Sequence, residues 1–314
     1  MKRLTFASFV AIAFLLISFT AAAQQTHTGT TRTSVNMVVT AEARHGNNPA
    51  PVTEQDVMVY EGKTRDQVTS WVPAKADHAS LEFFILLDDS SDVSLATQFD
   101  DLRQFINAQP ETTKIGIAYM QNGTAQIAQN LTTDHEKAGH ALRIPLGMSG
   151  INASPYFSLQ DLIKKWPEDS ARREVLMISN GMDLYYGMPD LQDPYVADAI
   201  GDAQRAGVVV FAIYNPGSGH YAHDYWRSYW GQLYLSQVTD ETGGESYYIG
   251  FNGPAVTFTP YLQDVQQRLN NQYLLTFLPE PEKKSGLQRV RLTTELSNTQ
   301  LIAADRVYVP AGEQ

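Results

Sequence analysis

The chain has 314 residues, of which 43% are hydrophobic and none is cysteine. This composition is typical of a globular protein and excludes a disulfide framework, thiol catalysis and thiolate zinc sites. Its 23 Lys and Arg residues are outnumbered by 34 Asp and Glu residues, which gives a formal net charge of −11. A nucleic-acid-binding protein needs a basic surface and no basic run occurs here, so the composition argues against that class as well.

The first 23 residues have the three parts of a secretory signal peptide. Two basic residues (2–3) precede an apolar stretch (residues 4–19), and three alanines (21–23) form a cleavage site. The apolar stretch is shorter than the ~20 residues of a membrane span, although an uncleaved anchor is the alternative. We therefore predict export to the periplasm or the extracellular space, with no membrane span after cleavage. Cleavage would leave 21 basic and 34 acidic residues, a formal charge of −13.

Both ends of the remaining chain are rich in β patterns. Residues 24–78 contain an alternating strand at 33–44, followed by VMVYEG and VTSWVP. Residues 273–314 contain YLLTFLP, LQRVRLTTEL and QLIAADRVYV, the last two separated by a turn at 297–298. Neither end has enough strands to close its own core. We expect the two ends to pair as one small sheet or sandwich.

The middle segment, residues 79–272, alternates between strands and helices. The continuous apolar runs LEFFILL, IGIAYM, REVLMIS and GVVVFAIY are typical of strands buried on both faces, and SYYIG is a shorter strand. Asn122-Gly123, between IGIAYM and AQIAQ, predicts a hairpin. The segment therefore predicts an α/β, Rossmann-like fold: a mainly parallel sheet with helices on both faces and one antiparallel edge hairpin. Helices are predicted at 93–108, 134–143, 156–165, 191–206, 224–241 and 260–271.

An acidic turn follows the first buried strand. Three carboxylates and three hydroxyls lie within residues 88–94, at the strand end where open parallel sheets bind ligands. All are hard oxygen donors, which Mg²⁺, Ca²⁺ and Mn²⁺ prefer. Helix capping by Ser91 or Asp92 is the alternative explanation. The residues alone leave metal binding and capping both open.

Several stretches resemble a von Willebrand factor type A (VWFA) domain. FFILLDDSSDVS is similar to the family's first strand and metal loop, which has the pattern Asp-x-Ser-x-Ser. IGIAYMQNGTAQIAQNLTTD resembles its edge hairpin, REVLMISNGMD its Thr-Asp-Gly strand, and LSQVTDETGGESYYI its late helix and strand. The flanks VTEQDVMVYEGK and YLLTFLPEPEKKSG resemble a bacterial secreted subgroup, the VWFA-related domain proteins first noted in acidobacteria. The resemblance covers residues 33–310.

The resemblance implies a metal-ion-dependent adhesion site with departures from the family pattern. Asp88 and Ser90 match the first two ligand positions, whereas Asp92 stands where the family has serine. Ser154 falls on the threonine position and Asn180 on the final aspartate. Mg²⁺ is the implied ion, with Ca²⁺ or Mn²⁺ as alternatives. The other alternative is that the site has decayed and the turn holds no ion.

The resemblance also implies a non-enzymatic module that binds a protein ligand, in the manner of an adhesion domain. In the family, a carboxylate of the partner completes the metal shell. Motifs of aspartyl phosphatases, serine hydrolases, P-loop proteins and dinucleotide-binding proteins are absent. One alternative function is a structural or assembly protein of the cell envelope with a vestigial metal site. A metal-dependent hydrolase is the less favoured alternative.

A helix rich in aromatic residues is a candidate second contact surface. Residues 221–234 contain six large rings, and helical spacing puts 225/229 on one stripe and 226/230/234 on another. One stripe is expected in the core, and the other would suit a protein partner if it is exposed. The alternative is burial of both stripes beneath the β-rich end of the chain.

Overall fold

Two β-sheets organise the chain: a six-stranded sheet with helices on both faces, and a seven-stranded antiparallel sheet. The proposed signal peptide lies outside the residues that the structure describes. In this computed structural model, those residues are 33–46, 48–147, 153–167, 171–183, 185, 189–216, 225–248, 256–280 and 284–311.

The strands and helices of this described part are numbered in chain order. The strands are β1 (Val35–Ala43), β2 (Met58–Glu61), β3 (Thr64–Pro73), β4 (Leu81–Asp88), β5 (Thr113–Gln121), β6 (Thr124–Thr132), β7 (Arg172–Ser179), β8 (Val208–Tyr214), β9 (Ser246–Tyr248), β10 (Gln272–Leu278), β11 (Gly286–Thr293), β12 (Thr299–Ala303) and β13 (Arg306–Val309). The α-helices are α1 (Phe99–Asn107), α2 (His135–His140), α3 (Pro155–Lys165), α4 (Pro194–Ala206), α5 (Tyr225–Thr242) and α6 (Thr259–Asn270).

The six-stranded sheet has the order β6-β5-β4-β7-β8-β9. Its neighbours are parallel, except that β5 and β6 form an antiparallel hairpin at one edge. Asn122 and Gly123 have positive φ angles of 48° and 76°, which the tight turn of that hairpin requires. The predicted fold class is therefore confirmed.

Helices cover both faces of this sheet. Side chains of α1, α2 and α6 pack with one face, and those of α3, α4 and α5 pack with the other. All eight residues of β4 are buried, as a central strand covered on both sides requires. None of the helices in the described part of the chain has the length and hydrophobicity needed to cross a membrane.

The helix predicted at 93–108 has a different beginning. Residues Val93–Gln98 form a 3₁₀ helix, and α1 begins only at Phe99. Asp92 caps the 3₁₀ helix by accepting a hydrogen bond from the amide of Ser94. This capped 3₁₀ segment separates the acidic turn from α1.

The seven-stranded sheet joins the two ends of the chain. Its order is β12-β1-β10-β3-β2-β11-β13, and every neighbouring pair is antiparallel. The sheet curls, because β11 contacts β12 and β1 contacts β13. Its inner face encloses a separate apolar core that includes Val39, Trp71 and Phe277.

QLIAADRVYV, predicted as one strand, is two strands. β12 pairs with β1 at one edge of the curled sheet, and β13 pairs with β11 at the other. The chain crosses between the edges at Ala304 and Asp305. There the amide of Asp305 donates to the carbonyl of Glu241 on α5, so a tertiary contact interrupts the alternating pattern.

Candidate functional site

The candidate site lies where the strand order of the six-stranded sheet reverses. β4 is the first of its strands in the chain and β7 the fourth, yet they are neighbours. The helix after β4 packs on one face and the helix after β7 on the other. Their connections therefore diverge at the carboxyl ends of both strands, which is where open α/β sheets form a ligand-binding crevice.

Asp88, the last residue of β4, is buried in this crevice. Its Oδ1 accepts hydrogen bonds from the amide (2.9 Å) and hydroxyl (2.6 Å) of Ser90. Its Oδ2 accepts from the hydroxyl of Ser179, the last residue of β7, at 2.8 Å. Burial raises the pKa of Asp88, while these hydrogen bonds act in the opposite direction. Asp88 therefore ties the two strand ends together.

Asp89, the next residue, faces a different partner. Both guanidinium nitrogens of Arg143 donate to its carboxylate, at 2.7 and 2.9 Å, and the side chain of Gln121 donates to the same group. The amide of Leu146 donates to Oδ1 at 3.0 Å. Burial raises the pKa of Asp89, but these donors outweigh burial and hold the pKa below its usual range.

The bonds to Asp89 fix the loop that follows α2. The Arg143 guanidinium also stacks on the ring of Tyr119, 3.9 Å from its centroid, and the amide of Gly147 donates to the Asp89 carbonyl. Two apolar side chains of this anchored loop, Ile144 and Leu146, are 56% and 59% exposed. The loop thus presents apolar surface beside the crevice.

Two of the predicted ligands bind backbone amides of their own loops. The Asp92 carboxylate accepts from the amide of Ser94 at 2.8 Å. The Asn180 side-chain oxygen accepts from the amide of Met182 at 2.9 Å. The capping alternative considered for Asp92 is therefore what the structure has.

Ser154 caps the start of α3 and pairs with an aspartate. Its hydroxyl donates to Asp183 Oδ2 at 3.2 Å and accepts from the amide of Phe157 at 3.4 Å. Asp183 is buried, and its Oδ1 accepts from the amide of Tyr185 at 2.7 Å. Asp183 is absent from the predicted set, although it lies only three residues beyond Asn180.

The structure thus brings the predicted residues together only in part. Asp88 and Ser90 are hydrogen-bonded to each other, whereas Ser154, Asp92 and Asn180 each have other partners. Within the described residues, no three acidic or histidine side chains are grouped closely enough to hold one ion. The carboxylate–hydroxyl contacts among these loops are Asp88 with Ser90 and with Ser179, and Asp183 with Ser154.

Sequence reasoning missed the connection from the crevice to β8. Asn215 directly follows β8, and its side chain donates to the hydroxyl of Ser91 at 3.2 Å. Its amide donates to the carbonyl of Ser179 at 2.9 Å. Asn215 therefore links the acidic turn to the carboxyl ends of both β7 and β8. Its place directly after a buried strand is the signal that could have identified it.

Comparison with known proteins yields structural likenesses only. No protein-family model matches the sequence, and no curated protein matches it. The chain is similar to the crystal structure of an aerotolerance-related membrane protein from Bacteroides fragilis (14% identity, TM-score 0.45, 61% of this chain and 99% of that one). It is also similar to the crystal structure of BatB from Bacteroides thetaiotaomicron (14% identity, TM-score 0.44, 60% of this chain and 97% of that one).

A third likeness is to the ArnB paralog VWA2 from Sulfolobus acidocaldarius, with 9% identity and a TM-score of 0.39. It covers 88% of this chain and 76% of that one. At these identities and TM-scores, the description of the fold rests on the strand order and connections given above.

Exposure along the aromatic helix changes from its beginning to its middle. On α5, Trp226 is 60% exposed, Trp230 is half-buried and Tyr234 is buried. Their rings form a continuous contact, with centroids 6.1 and 5.7 Å apart. Burial of both stripes is wrong, since Trp226 and Tyr229 are exposed. The 226/230/234 stripe is neither wholly buried nor wholly exposed, because it leaves the core as it approaches the helix start. The predicted residues 221–224 lie outside the described part of the chain.

Exposed apolar side chains gather at the carboxyl end of the six-stranded sheet. Of ten large exposed hydrophobic residues in the described part of the chain, nine lie at strand ends, loops or helix starts on this end. The tenth, Tyr308, lies on β13 of the curled sheet. We call the nine residues the apolar rim: Val93, Ile144, Leu146, Tyr185, Leu191, Trp226, Tyr229, Tyr248 and Val256.

Proposed function

We propose that this protein is a non-enzymatic protein-binding module whose ligand docks on the apolar rim, around the crevice between β4 and β7. The observation that carries the proposal is the concentration of exposed apolar side chains at one end of one sheet. Single exposed apolar residues are ordinary on a protein surface, whereas a gathered set typically marks an interaction surface.

The composition of the rim suits a protein partner. It combines Trp and Tyr rings with aliphatic side chains, and aromatic anchors contribute much of the binding energy at protein interfaces. Its two aliphatic members on the loop after α2, Ile144 and Leu146, are held by the bonds between that loop and Asp89. A surface that is fixed before binding loses less conformational entropy when the partner arrives.

The resemblance to VWFA domains supports a docking surface at this end of the molecule. In that family the partner docks at the carboxyl end of the sheet, which is where the rim lies here. The signal-peptide pattern at residues 1–23 supports an exported protein, in the periplasm or outside the cell. The adhesion-type role and membership of the acidobacterial subgroup are parts of this proposal.

A divalent cation in the crevice is part of the proposal. Hard oxygens of Asp88, Ser90 and Ser154 have the donor chemistry for Mg²⁺, with Ca²⁺ or Mn²⁺ as weaker candidates. Asp92 and Asn180 each already accept a backbone amide, so at Asp92 the second carboxylate oxygen and at Asn180 the second lone pair would be the part that joins the site. A bound cation would supply a positive charge for a carboxylate of the partner.

The second candidate function is a structural or assembly protein of the cell envelope with no bound ion. The intrachain partners of all five predicted ligands favour it. The two candidates share the apolar rim and differ in their response to chelators. Partner binding that needs a cation supports the first, and binding that ignores EDTA supports the second.

The proposed docking surface can be tested by capture of partners from an extract of the source organism. The bait is the purified protein, compared with the double variant Ile144→Ser/Leu146→Ser and with the control Tyr308→Ser. We expect the double variant to lose a specific partner that the wild type and the control retain. Equal recovery by all three baits, or no specific partner, would contradict the proposal.

A further inference from the structure

A second candidate binding region lies at the opposite end of the six-stranded sheet from the apolar rim. There, a cavity of about 460 Å³ separates the outer face of the curled sheet from the beginning of β7 and the end of α4. Small-molecule sites in proteins have volumes of roughly 300–1,000 Å³. The cavity is therefore large enough for a ligand of modest size.

The floor of the cavity is formed by two rows of side chains that cross β1, β10 and β3. Register places each row directly across the three strands. One row is apolar and half-buried, and the other is polar. The apolar row is Val38, Leu274 and Val72, and the polar row is Asn36, Thr276 and Ser70.

The wall opposite this floor is cationic. Arg172 and Arg173, at the start of β7, both line the cavity, as does His78. Among the described residues of the lining, none is acidic. This local excess of positive charge lies in a chain whose formal net charge is −11. Charge complementarity therefore favours an anionic ligand.

Arg172 has a donor that the protein leaves unused. Its side chain is more than nine-tenths buried, and its Nε has no hydrogen-bond acceptor. The terminal nitrogens are engaged: one donates to the side chain of Gln272 and the other to the carbonyl of Ala79. A buried donor without an acceptor is costly, so the intrachain contacts of Arg172 leave its guanidinium incompletely satisfied.

Glu174, the carboxylate beside Arg172, only partly balances the positive charge of the buried guanidinium. Glu174, fully buried, lies 3.6 Å from a terminal nitrogen of Arg172, and the side chain of Gln272 also stabilises its ionised form. Burial lowers the pKa of Arg172, and Glu174 opposes this. A second carboxylate beside the guanidinium would stabilise its charged form.

We propose that this cavity binds the carboxylate of an apolar molecule. The carboxylate lies against Arg172 and Arg173, and the apolar body lies on the row of Val38, Leu274 and Val72. Arg is suited to this task because its planar group presents several donors to one carboxylate. A fatty acid and the C-terminal residue of a polypeptide both have this chemistry.

The proposal is tested by calorimetric titration of the purified protein with two pairs of probes. One pair is octanoate and octanamide. The other is the peptide acetyl-Ala-Val-Leu with a free C-terminal carboxylate and with a C-terminal amide. Binding of octanoate alone identifies a fatty-acid source, and binding of the peptide acid alone identifies a polypeptide source. Either result supports the proposal when the matching amide does not bind.

Two variants and a control locate the binding. Asn36→Asp adds a negative charge to the polar row and can keep the bond that Thr276 donates to this side chain at 2.8 Å. Arg172→Lys keeps a cation but removes Nε–H. We expect each to weaken acid binding about tenfold, whereas Asn130→Asp on β6 leaves it unchanged. Acids and amides binding equally, no acid binding, or undiminished affinity in Asn36→Asp would overturn the proposal.

Discussion

Gly231 of α5 packs directly against the backbone of Asn180, in the turn after β7. A Cβ atom added to Gly231 would collide with the Asn180 carbonyl oxygen. Gly181, the residue after Asn180, has a positive φ of 67°, and a Cβ atom added to it would likewise collide with the Gly231 carbonyl oxygen. This backbone-to-backbone contact sets the position of α5 beside the crevice, and with it the position of Trp226 and Tyr229 on the apolar rim.

We therefore predict that Gly231→Ala destabilises the protein. The added methyl group must displace either α5 or the turn, and overpacking of this kind costs about 1–3 kcal/mol. Gly201→Ala on α4 is the matched control, since its Cβ would meet only a leucine methyl at 3.9 Å. Urea unfolding should show a lower midpoint for Gly231→Ala and a midpoint for Gly201→Ala that is unchanged or higher. Equal midpoints for both variants would refute the close packing.

A second prediction concerns Asp89 and the loop that it anchors. Asp89→Asn removes the charge that Arg143 pairs with, and should lower the free energy of unfolding at pH 7 by about 2–3 kcal/mol. The pKa of Asp89 is depressed in the folded protein, so its contribution is present above the unfolded pKa. That contribution is lost as pH falls through the folded value.

The measurement for Asp89 is urea unfolding of the wild type and Asp89→Asn between pH 7 and pH 3. The difference between them should shrink as the pH falls. Asp134→Asn is a suitable control, because Asp134 is an exposed helix cap on α2 that accepts only from a backbone amide. A difference for Asp89→Asn that stays constant over this range would contradict the role of its ionised carboxylate.

A third prediction concerns Glu174 in the interface between the sheets. Burial raises its pKa from 4.5 to about 7. A raised carboxylate pKa means that the folded state binds more protons than the unfolded state between these values. Glu174 should therefore make the protein less stable as pH rises from about 4.5 to 7, with no further change at higher pH.

Glu174→Gln removes this titration, and the pH dependence of its stability is the observable. We expect the loss of unfolding free energy between pH 5 and pH 8 to be smaller in the variant, by roughly 2–3 kcal/mol. The comparison uses the slope, because the absolute stability also changes when Arg172 loses its partner. Identical slopes for the variant and the wild type would show that Glu174 is ionised throughout.

A fourth prediction concerns the proposed cation. If Mg²⁺ or Mn²⁺ binds the crevice, the melting temperature should rise with metal concentration, since ligand at a hundred times its Kd stabilises by about 2.7 kcal/mol. Asp88→Ala and Ser90→Ala should abolish this rise. Asp100→Ala is the control, since Asp100 is an exposed residue of α1 paired only with Arg103. A wild-type protein indifferent to Mg²⁺, Mn²⁺ and Ca²⁺ would leave only the metal-free alternative.

The six-stranded sheet is predictable because its signals are local. A continuous apolar run such as β4 can be satisfied only where both faces are covered, and all eight of its residues are buried. Asn122-Gly123 determines the hairpin through backbone angles that few other residues adopt. The split between β12 and β13 is not predictable in this way, because alternation continues through Ala304 while a contact with α5 diverts the chain.

In the candidate site, only contacts between residues close together in the sequence are predictable. Asp88 and Ser90 lie two residues apart and do form a hydrogen bond. Their environment comes from elsewhere: Ser179 is 91 residues beyond Asp88, and Arg143 is 54 beyond Asp89. No periodicity encodes such pairings. Only the resemblance points to Ser154, and the bond between Ser154 and Asp183 depends on how the loop before α3 meets the loop after β7.

The central claim is that a protein partner docks on the apolar rim. Site-specific photo-crosslinking tests it most directly, with a photoreactive amino acid placed at Leu146, at Trp226 or, as the control, at Tyr308. In the source organism, we expect Leu146 and Trp226 to crosslink to the same protein, and Tyr308 not to crosslink to it. No specific crosslink from the two rim positions, or the same product from all three positions, would contradict the account.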